Sequence, residues 1–271
     1  MWVEINFNQV ILGAAFSLVI SLAALRLKAL TTSGAFTAFW VGVVTFGVGG
    51  WGAAAVLLTF FISSSLLSQM FRGQKQKLED TLSKGAQRDG SQVFANGGVA
   101  SVCLLLQMFF PGSILPLVAF AGSLAAANAD TWATELGVLS AAPPRLLTTW
   151  KTVARGVSGG VSGLGMAASF AGAGLAAGAA ALGFQMSWRM LVSVWVAGVC
   201  GSLFDSLLGA SLQAVYYCNQ CQLETERYPH HRCGERTVYL HGIRWLNNDG
   251  VNLACTLLGG LTAVVFYLFL S

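Results

Sequence analysis

From Ala29 to Phe71 the chain reads ALTTSGAFTAFWVGVVTFGVGGWGAAAVLLTFFISSSLLSQMF, with no Asp, Glu, Lys or Arg. A helix that crosses the hydrocarbon of a bilayer takes about 20 apolar residues. This run therefore holds two crossings, and Gly47, Gly49 and Gly50 mark a tight connection between them. Charge-free runs recur from Gly90 to Ala129, from Gly156 to Trp188 and from Gly250 to Ser271. Lipid offers no partner for backbone N–H and C=O groups, so helices are the expected solution. The alternation of a membrane barrel is absent. Spans are expected at about 9–25, 34–49, 51–70, 92–110, 113–139, 156–183, 189–215 and 250–270. The second is short and the sixth is rich in Gly and Ala, which leaves a count of seven or a broken helix open. The first apolar stretch lacks a basic leader and reads as a span, not a cleaved signal.

Composition agrees. Hydrophobic residues make up 55% of the 271 and charged residues 10%, where a soluble domain carries about 25% charged. In water such a chain would expose large apolar patches. Disorder needs the opposite composition. Six cysteines are too sparse for a disulfide scaffold. The fold class is thus all-α: a polytopic membrane helix bundle of about eight transmembrane helices, one domain over 1–271, with cytoplasmic loops at about 71–91, 140–155 and 216–249.

The basic residues set the orientation. Arg26 and Lys28; Arg72, Lys75, Lys77, Lys84 and Arg88; Arg145, Lys151 and Arg155; and Arg227, Arg232, Arg236 and Arg244 all fall in alternate loops, leaving Arg189 on the other side. Basic loops stay in the cytoplasm. Both termini are then outside, in a multi-pass protein of a cell membrane such as the bacterial inner membrane. The net charge of +4 is topogenic and attracts anionic membrane lipids; no nucleic-acid partner is needed to explain it. The charged loop 71–91 suits the membrane surface.

Ionisable groups inside spans are costly and mark function. At 100° per residue, Asn128, Asp130, Thr131, Thr134 and Glu135 share one helix face. Two carboxylates among an amide and two hydroxyls form a hard-oxygen site suited to Mg²⁺; an interhelical polar clamp is the alternative. Asp205 heads a polar stripe with Ser202, Ser206, Gly209 and Gln213 on the seventh helix, where Gly209 permits close approach of a helix or a ligand. Asn247, Asn248, Asp249 and Asn252 open the last helix, either as caps or as ligands. Lys84 and Arg88, four apart, point toward the same mouth, near Asn96. Arg155 and Ser158 begin the Gly-rich segment Arg155–Gly165, whose N–H groups suit phosphate, unless the glycines serve packing. Every one of these falls on the cytoplasmic side. Acids for Mg²⁺ and cations for phosphate are the parts of phosphoryl transfer. No Walker A or soluble-kinase loop is present, and the three His lie in one loop, so no Ser-His-Asp arrangement is suggested.

The blocks Lys84-Gly-Ala-Gln-Arg88 with Gln92 to Gly98, Ala129-Asp-Thr-Trp-Ala-Thr-Glu-Leu-Gly137, Gly159 to Gly165, Asp205 to Ala210 and Trp245 to Asn252 resemble an integral-membrane family. It includes the plant and cyanobacterial phytyl-phosphate kinases of vitamin E biosynthesis and human relatives. The resemblance runs from about Gly34 onward, with the blocks in family order. It implies transfer of a phosphoryl group from a nucleoside triphosphate, CTP in the plant case or ATP, to an isoprenyl monophosphate held in the bilayer. On this chain the acids Asp130, Glu135, Asp205 and Asp249 would hold Mg²⁺ and the phosphates. Lys84 and Arg88 would neutralise the transferring group, and Asn96, Asn248 and Asn252 would position oxygens. The acceptor is already anionic and needs no strong base, although Asp130 or Asp205 in that role stays open.

The loop Cys218-x-x-Cys221, then His231-x-Cys233, has the ligand types of structural Zn²⁺, against unpaired thiols in a solvated loop. Cys103, Cys200 and Cys255 read as apolar fillers. Two other functions remain as alternatives. One is a secondary transporter or ion pathway, which would need polar groups on both sides and an inverted repeat. The other is a CTP-dependent lipid cytidylyltransferase, which would release pyrophosphate. Small-residue spacings serve internal packing or a homodimer.

Overall fold

The computed structural model describes residues 7–71, 87–185 and 187–271. Among them are seven helices: α1 (Phe7–Arg26), α2 (Thr32–Met70), α3 (Gly90–Phe109), α4 (Leu115–Gly137), α5 (Gly163–Phe184), α6 (Trp188–Ser211) and α7 (Asn248–Phe269). Six of them are long and apolar enough to cross a membrane. The other, α4, carries Asp130 and Glu135.

The second and third expected helices run as the two arms of α2, divided at Gly50. A straight helix of 39 residues would run about 58 Å, nearly twice the bilayer's roughly 30 Å of hydrocarbon. Gly50, at φ 66° and ψ −157°, breaks the helical path instead. Phe61 of the second arm packs with Ala35 and Ala38 of the first; a straight helix would hold Ala35 and Phe61 about 39 Å apart. The two arms therefore fold back on each other at Gly50. Counted as one element, α2 makes seven helices among the described residues, and its two arms fall where the spans at about 34–49 and 51–70 were expected.

Two other boundaries move. The sixth expected helix starts at Gly163 instead of 156, capped by Ser162, whose Oγ accepts from Gly165 N–H. Ahead of it β2 (Gly160–Val161) pairs with β1 (Arg145–Leu146). Gly159 has φ +76°, and a Cβ there would stand 2.3 Å from the Ala210 nitrogen. This glycine thus serves a backbone crossing, not a helix. The seventh expected helix ends at Ser211, and the chain then forms a three-stranded sheet. Its order is β4 (Leu223–Thr225), β3 (Val215–Cys218), β5 (Val238–His241). All-α is therefore too narrow: the fold is mostly helical, with two small sheets in the connections.

α4 is the central post. Val118, Phe120, Ala121, Leu124, Ala125 and Ala126 are wholly buried, against α3, α5, α6 and α7. A Cβ on Gly122 would come within 2.6 Å of the Gly259 carbonyl, and one on Gly201 within 2.5 Å of the Ala126 Cβ. Small residues let helix backbones approach, which is how helices associate where lipid removes the hydrophobic drive. These glycines serve internal packing. One end of the bundle gathers the C-termini of α4 and α6 and the N-termini of α3, α5 and α7. At the other, Gly52 meets the Gly183 carbonyl beside the Gly50 turn.

Candidate functional site

At the gathered end lies a cavity of about 280 Å³. α4 presents Asp130, Thr131, Thr134 and Glu135; α6 presents Ser202, Asp205 and Ser206; α7 presents Asn248 and Asn252. Arg88 enters just before α3, with Gln92 and Asn96 on its first turns, and the loop from Arg155 to Ser162 forms a wall. Eleven expected site residues thus line one space: Arg88, Asn96, Asp130, Thr131, Thr134, Glu135, Arg155, Ser158, Asp205, Asn248 and Asn252.

Two expected residues among the described ones do not line the cavity, Asn128 and Asp249. Lys84 lies outside the described residues. Asn128 is fully buried, two residues before Asp130 and outside the cavity lining. Its Nδ2 donates to the Gly172 carbonyl at 2.8 Å and its Oδ1 accepts from Ser63 Oγ at 3.0 Å. Both ends of the amide are occupied by helices, so Asn128 is an interhelical clamp and not a phosphate ligand. Asp249 does not line the cavity; it sits in the first turn of α7, where a carboxylate favours the positive end of the helix. Asn247 is the cap, its Oδ1 accepting from Gly250 N–H at 3.0 Å.

The charges are arranged in two sets. Arg88 donates from Nη1 to Ser64 Oγ at 3.1 Å, stands 5.6 Å from the centre of the Phe60 ring, and faces Glu135. Burial holds the pKa of its guanidinium below the usual arginine value, and the charge of Glu135 opposes that shift only in part. Glu135 accepts in turn from Ser68 Oγ. The charge of Glu135 thus acts on Arg88 while Glu135 also lines the cavity. The second set is acidic. Asp205 feels both Asp130 and Glu226, and its Oδ2 is buried without a hydrogen-bond partner among the described residues. Neighbouring carboxylates repel, and a divalent cation relieves that repulsion. Their oxygens do not close around one point: among the described residues the only tight cluster of metal-ligand types is the Cys/His loop. The donors at this site are carboxylate oxygens, the ligand type that Mg²⁺ takes.

Sequence reasoning missed Glu226 and Ser68. Glu226 Oε1 accepts from Ser158 Oγ, which joins the connection after β4 to the cavity wall. Nothing local marks either residue: Glu226 is one acid among several in a charged loop, and Ser68 one serine among several in α2. Arg155 is partly committed as well, its Nη2 donating to the carbonyls of Ser140 at 2.7 Å and Ala141 at 3.2 Å.

A second cavity, about 80 Å³, opens beside the first between α1, both arms of α2 and α3. Ile20, Leu30, Ala38, Val41, Leu57 and Phe61 line it. Arg88, Gln92 and Asn96 line both cavities.

A family model described as Integral membrane protein DUF92 matches residues 15–260. Protein PGR of Arabidopsis thaliana is 32% identical, over 92% of this chain and 93% of its own length. An uncharacterized membrane protein of Methanocaldococcus jannaschii is 30% identical, over 92% of each chain. Protein VTE6, chloroplastic, also of Arabidopsis thaliana, is 23% identical, over 91% of this chain and 68% of its own. No solved structure matches.

Proposed function

The chain belongs to the integral membrane protein DUF92 family, and on that premise we propose that it is a membrane isoprenoid-phosphate kinase. It would transfer a phosphoryl group from a nucleoside triphosphate, CTP by the resemblance noted above, to an isoprenyl or phytyl monophosphate. The observation that carries this reading is the meeting of the two cavities at Arg88, Gln92 and Asn96. A polar, acid-lined space and an apolar space joined by a guanidinium have the form of an amphiphile with a phosphate between head and tail. The likeness to the VTE6 protein adds weaker support.

In this reading the tail lies against Leu57 and Phe61, and Arg88 binds the acceptor phosphate. Asp130 and Asp205 would hold Mg²⁺, which would supply positive charge against the transferring phosphoryl group. Thr131, Thr134, Asn248, Asn252 and the loop N–H groups around Ser158 bind the donor phosphates. An oxygen of the acceptor monophosphate attacks the γ-phosphorus, the bond to the bridging oxygen breaks, and a nucleoside diphosphate leaves. The acceptor is an anion already, so positioning and charge neutralisation suffice. Arg88 and Arg155 sit at this mouth, and Arg26, Lys28 and Arg145 fall in connections at the same end, which supports a cytoplasmic face.

The test is turnover of detergent-purified protein with Mg²⁺, CTP or ATP, and phytyl or geranylgeranyl monophosphate, with the lipid product read by mass spectrometry. A lipid diphosphate with a nucleoside diphosphate is the expected result. A nucleotidyl lipid with pyrophosphate would keep the site and make the reaction cytidylyl transfer. No turnover at any tail length, in folded protein, would overturn the enzyme reading in favour of transport.

A further inference from the structure

The connection between α6 and α7 has a problem of stability. From 212 to 247 its buried apolar side chains are Ala214, Tyr216 and Leu246, with the buried thiol of Cys218. So small a core seldom holds a fold; small units of this kind are fastened by disulfides or a metal. All six cysteines are unbridged. We propose that Cys218, Cys221, His231 and Cys233 bind one structural Zn²⁺ ion, which fastens the loop carrying Glu226 over the cavity.

The geometry is specific. One ligand atom from each of the four lies within 4.8 Å of all the others. Thiolates about 2.3 Å from a tetrahedral zinc stand about 3.8 Å apart, and a thiolate and an imidazole nitrogen somewhat closer. Cys218 Sγ and Cys233 Sγ are 3.6 Å apart, and His231 Nδ1 is 3.4 Å from Cys233 Sγ. Two backbone turns prepare these positions. Past the end of β3, Gln222 N–H donates to the Cys218 carbonyl at 2.9 Å, and Cys221 N–H points at Cys218 Sγ at 3.5 Å. In the second turn His231 N–H donates to the Glu235 carbonyl and Gly234 N–H to the His231 carbonyl, each at 2.9 Å. Thiol hydrogen bonds are weak and would not by themselves draw four such side chains together. Three sulfurs and an imidazole select zinc over magnesium.

The consequence reaches the cavity. β4 ends at Thr225, and the next residue is Glu226, bound to Ser158 in the cavity wall. A metal closing the β3–β4 turn onto the His231–Glu235 turn fixes where Glu226 stands. The inference does not depend on the phosphotransfer reading, because its test needs no turnover.

The experiment is metal analysis of the full chain, purified in detergent without a polyhistidine tag. The expected content is one zinc per chain, retained through gel filtration. Exchange with Co²⁺ should give the visible absorption of tetrahedral thiolate cobalt. Cys221→Ser and Cys233→Ser should weaken zinc binding at least about tenfold, while Cys103→Ser, buried between helices, keeps the metal. Exposed Cys221 and Cys233 should resist maleimide until a strong chelator is added. Monodisperse wild-type protein without zinc, or with both thiols freely reactive before chelation, would overturn the proposal; so would serine variants that keep full metal.

Discussion

The Ser158 hydroxyl donates to the Glu226 carboxylate, so two connections 68 residues apart in sequence meet at the rim of one cavity. Ser158 Oγ also stands 3.3 Å from Gln213 Oε1. The contact puts a third carboxylate near Asp130 and Asp205. If Glu226 serves as a charge, Glu226→Gln should lower turnover at least about tenfold and raise the Mg²⁺ needed for half-maximal rate, since the amide still accepts from Ser158 but attracts no cation. Thermal stability should change little. Unchanged turnover and Mg²⁺ dependence would reduce Glu226 to a tether.

Asp205 carries the sharper expectation. Its Oδ2 is buried without a hydrogen-bond partner among the described residues, a state that costs stability unless a ligand repays it. Asp205→Asn should lower kcat by about a hundredfold, or roughly 2.7 kcal/mol in the barrier, and leave the melting temperature equal or higher. A variant with wild-type kcat would remove Asp205 from the reaction.

The sequence made most of the helices legible, because charge-free runs of about 20 residues have few other solutions in lipid. It made the cavity legible too, because acids in such runs are rare enough to stand out. It failed where tertiary contact decides. Two-residue strands such as Arg145–Leu146 have no local period. Gly156 and Gly159 read as part of the sixth helix, for phosphate or for packing, but take φ of +88° and +76° in a loop. Asn128 shares a helical face with Thr131 and Glu135, yet is fully buried outside the cavity lining, and periodicity gives a face without a depth. Glu226 had no signal at all, since its role depends on a partner far away in the chain.

Asn128 separates clamp from ligand. Asn128→Ala would leave the Gly172 carbonyl and Ser63 without these bonds inside the bundle, a loss of about 1–3 kcal/mol. The expected outcome is a melting temperature in detergent lower by a few degrees, with unchanged turnover per folded molecule. A kcat loss as large as that of Asp205→Asn at normal stability would return Asn128 to the phosphate site.

Gly159→Ala tests the backbone crossing. The substitution adds strain at φ +76° and pushes a Cβ to 2.3 Å from the Ala210 nitrogen, where backbone cannot yield cheaply. The wall loop should leave α6, with a loss of at least about 1–2 kcal/mol and faster proteolysis between Arg155 and Ser162. A variant as stable and as resistant as wild type would mean that the loop and α6 do not pack as described.

The apolar cavity makes the last claim testable by size. Ala38 faces it from the first arm of α2, opposite Leu57 and Phe61. Ala38→Phe places a ring against Leu57 and Phe61, in the space where this reading puts the isoprenoid tail. Ala38 lines the apolar cavity and not the acid-lined one, so the substitution should spare the chemical step and act on tail binding. The expected result is a KM for geranylgeranyl monophosphate raised at least about tenfold, roughly 1.4 kcal/mol, with kcat nearly unchanged and a smaller effect on shorter tails. Equal KM values at every tail length would place the tail elsewhere, and a fall in kcat without a change in KM would mean that the cavity shapes the reacting end instead.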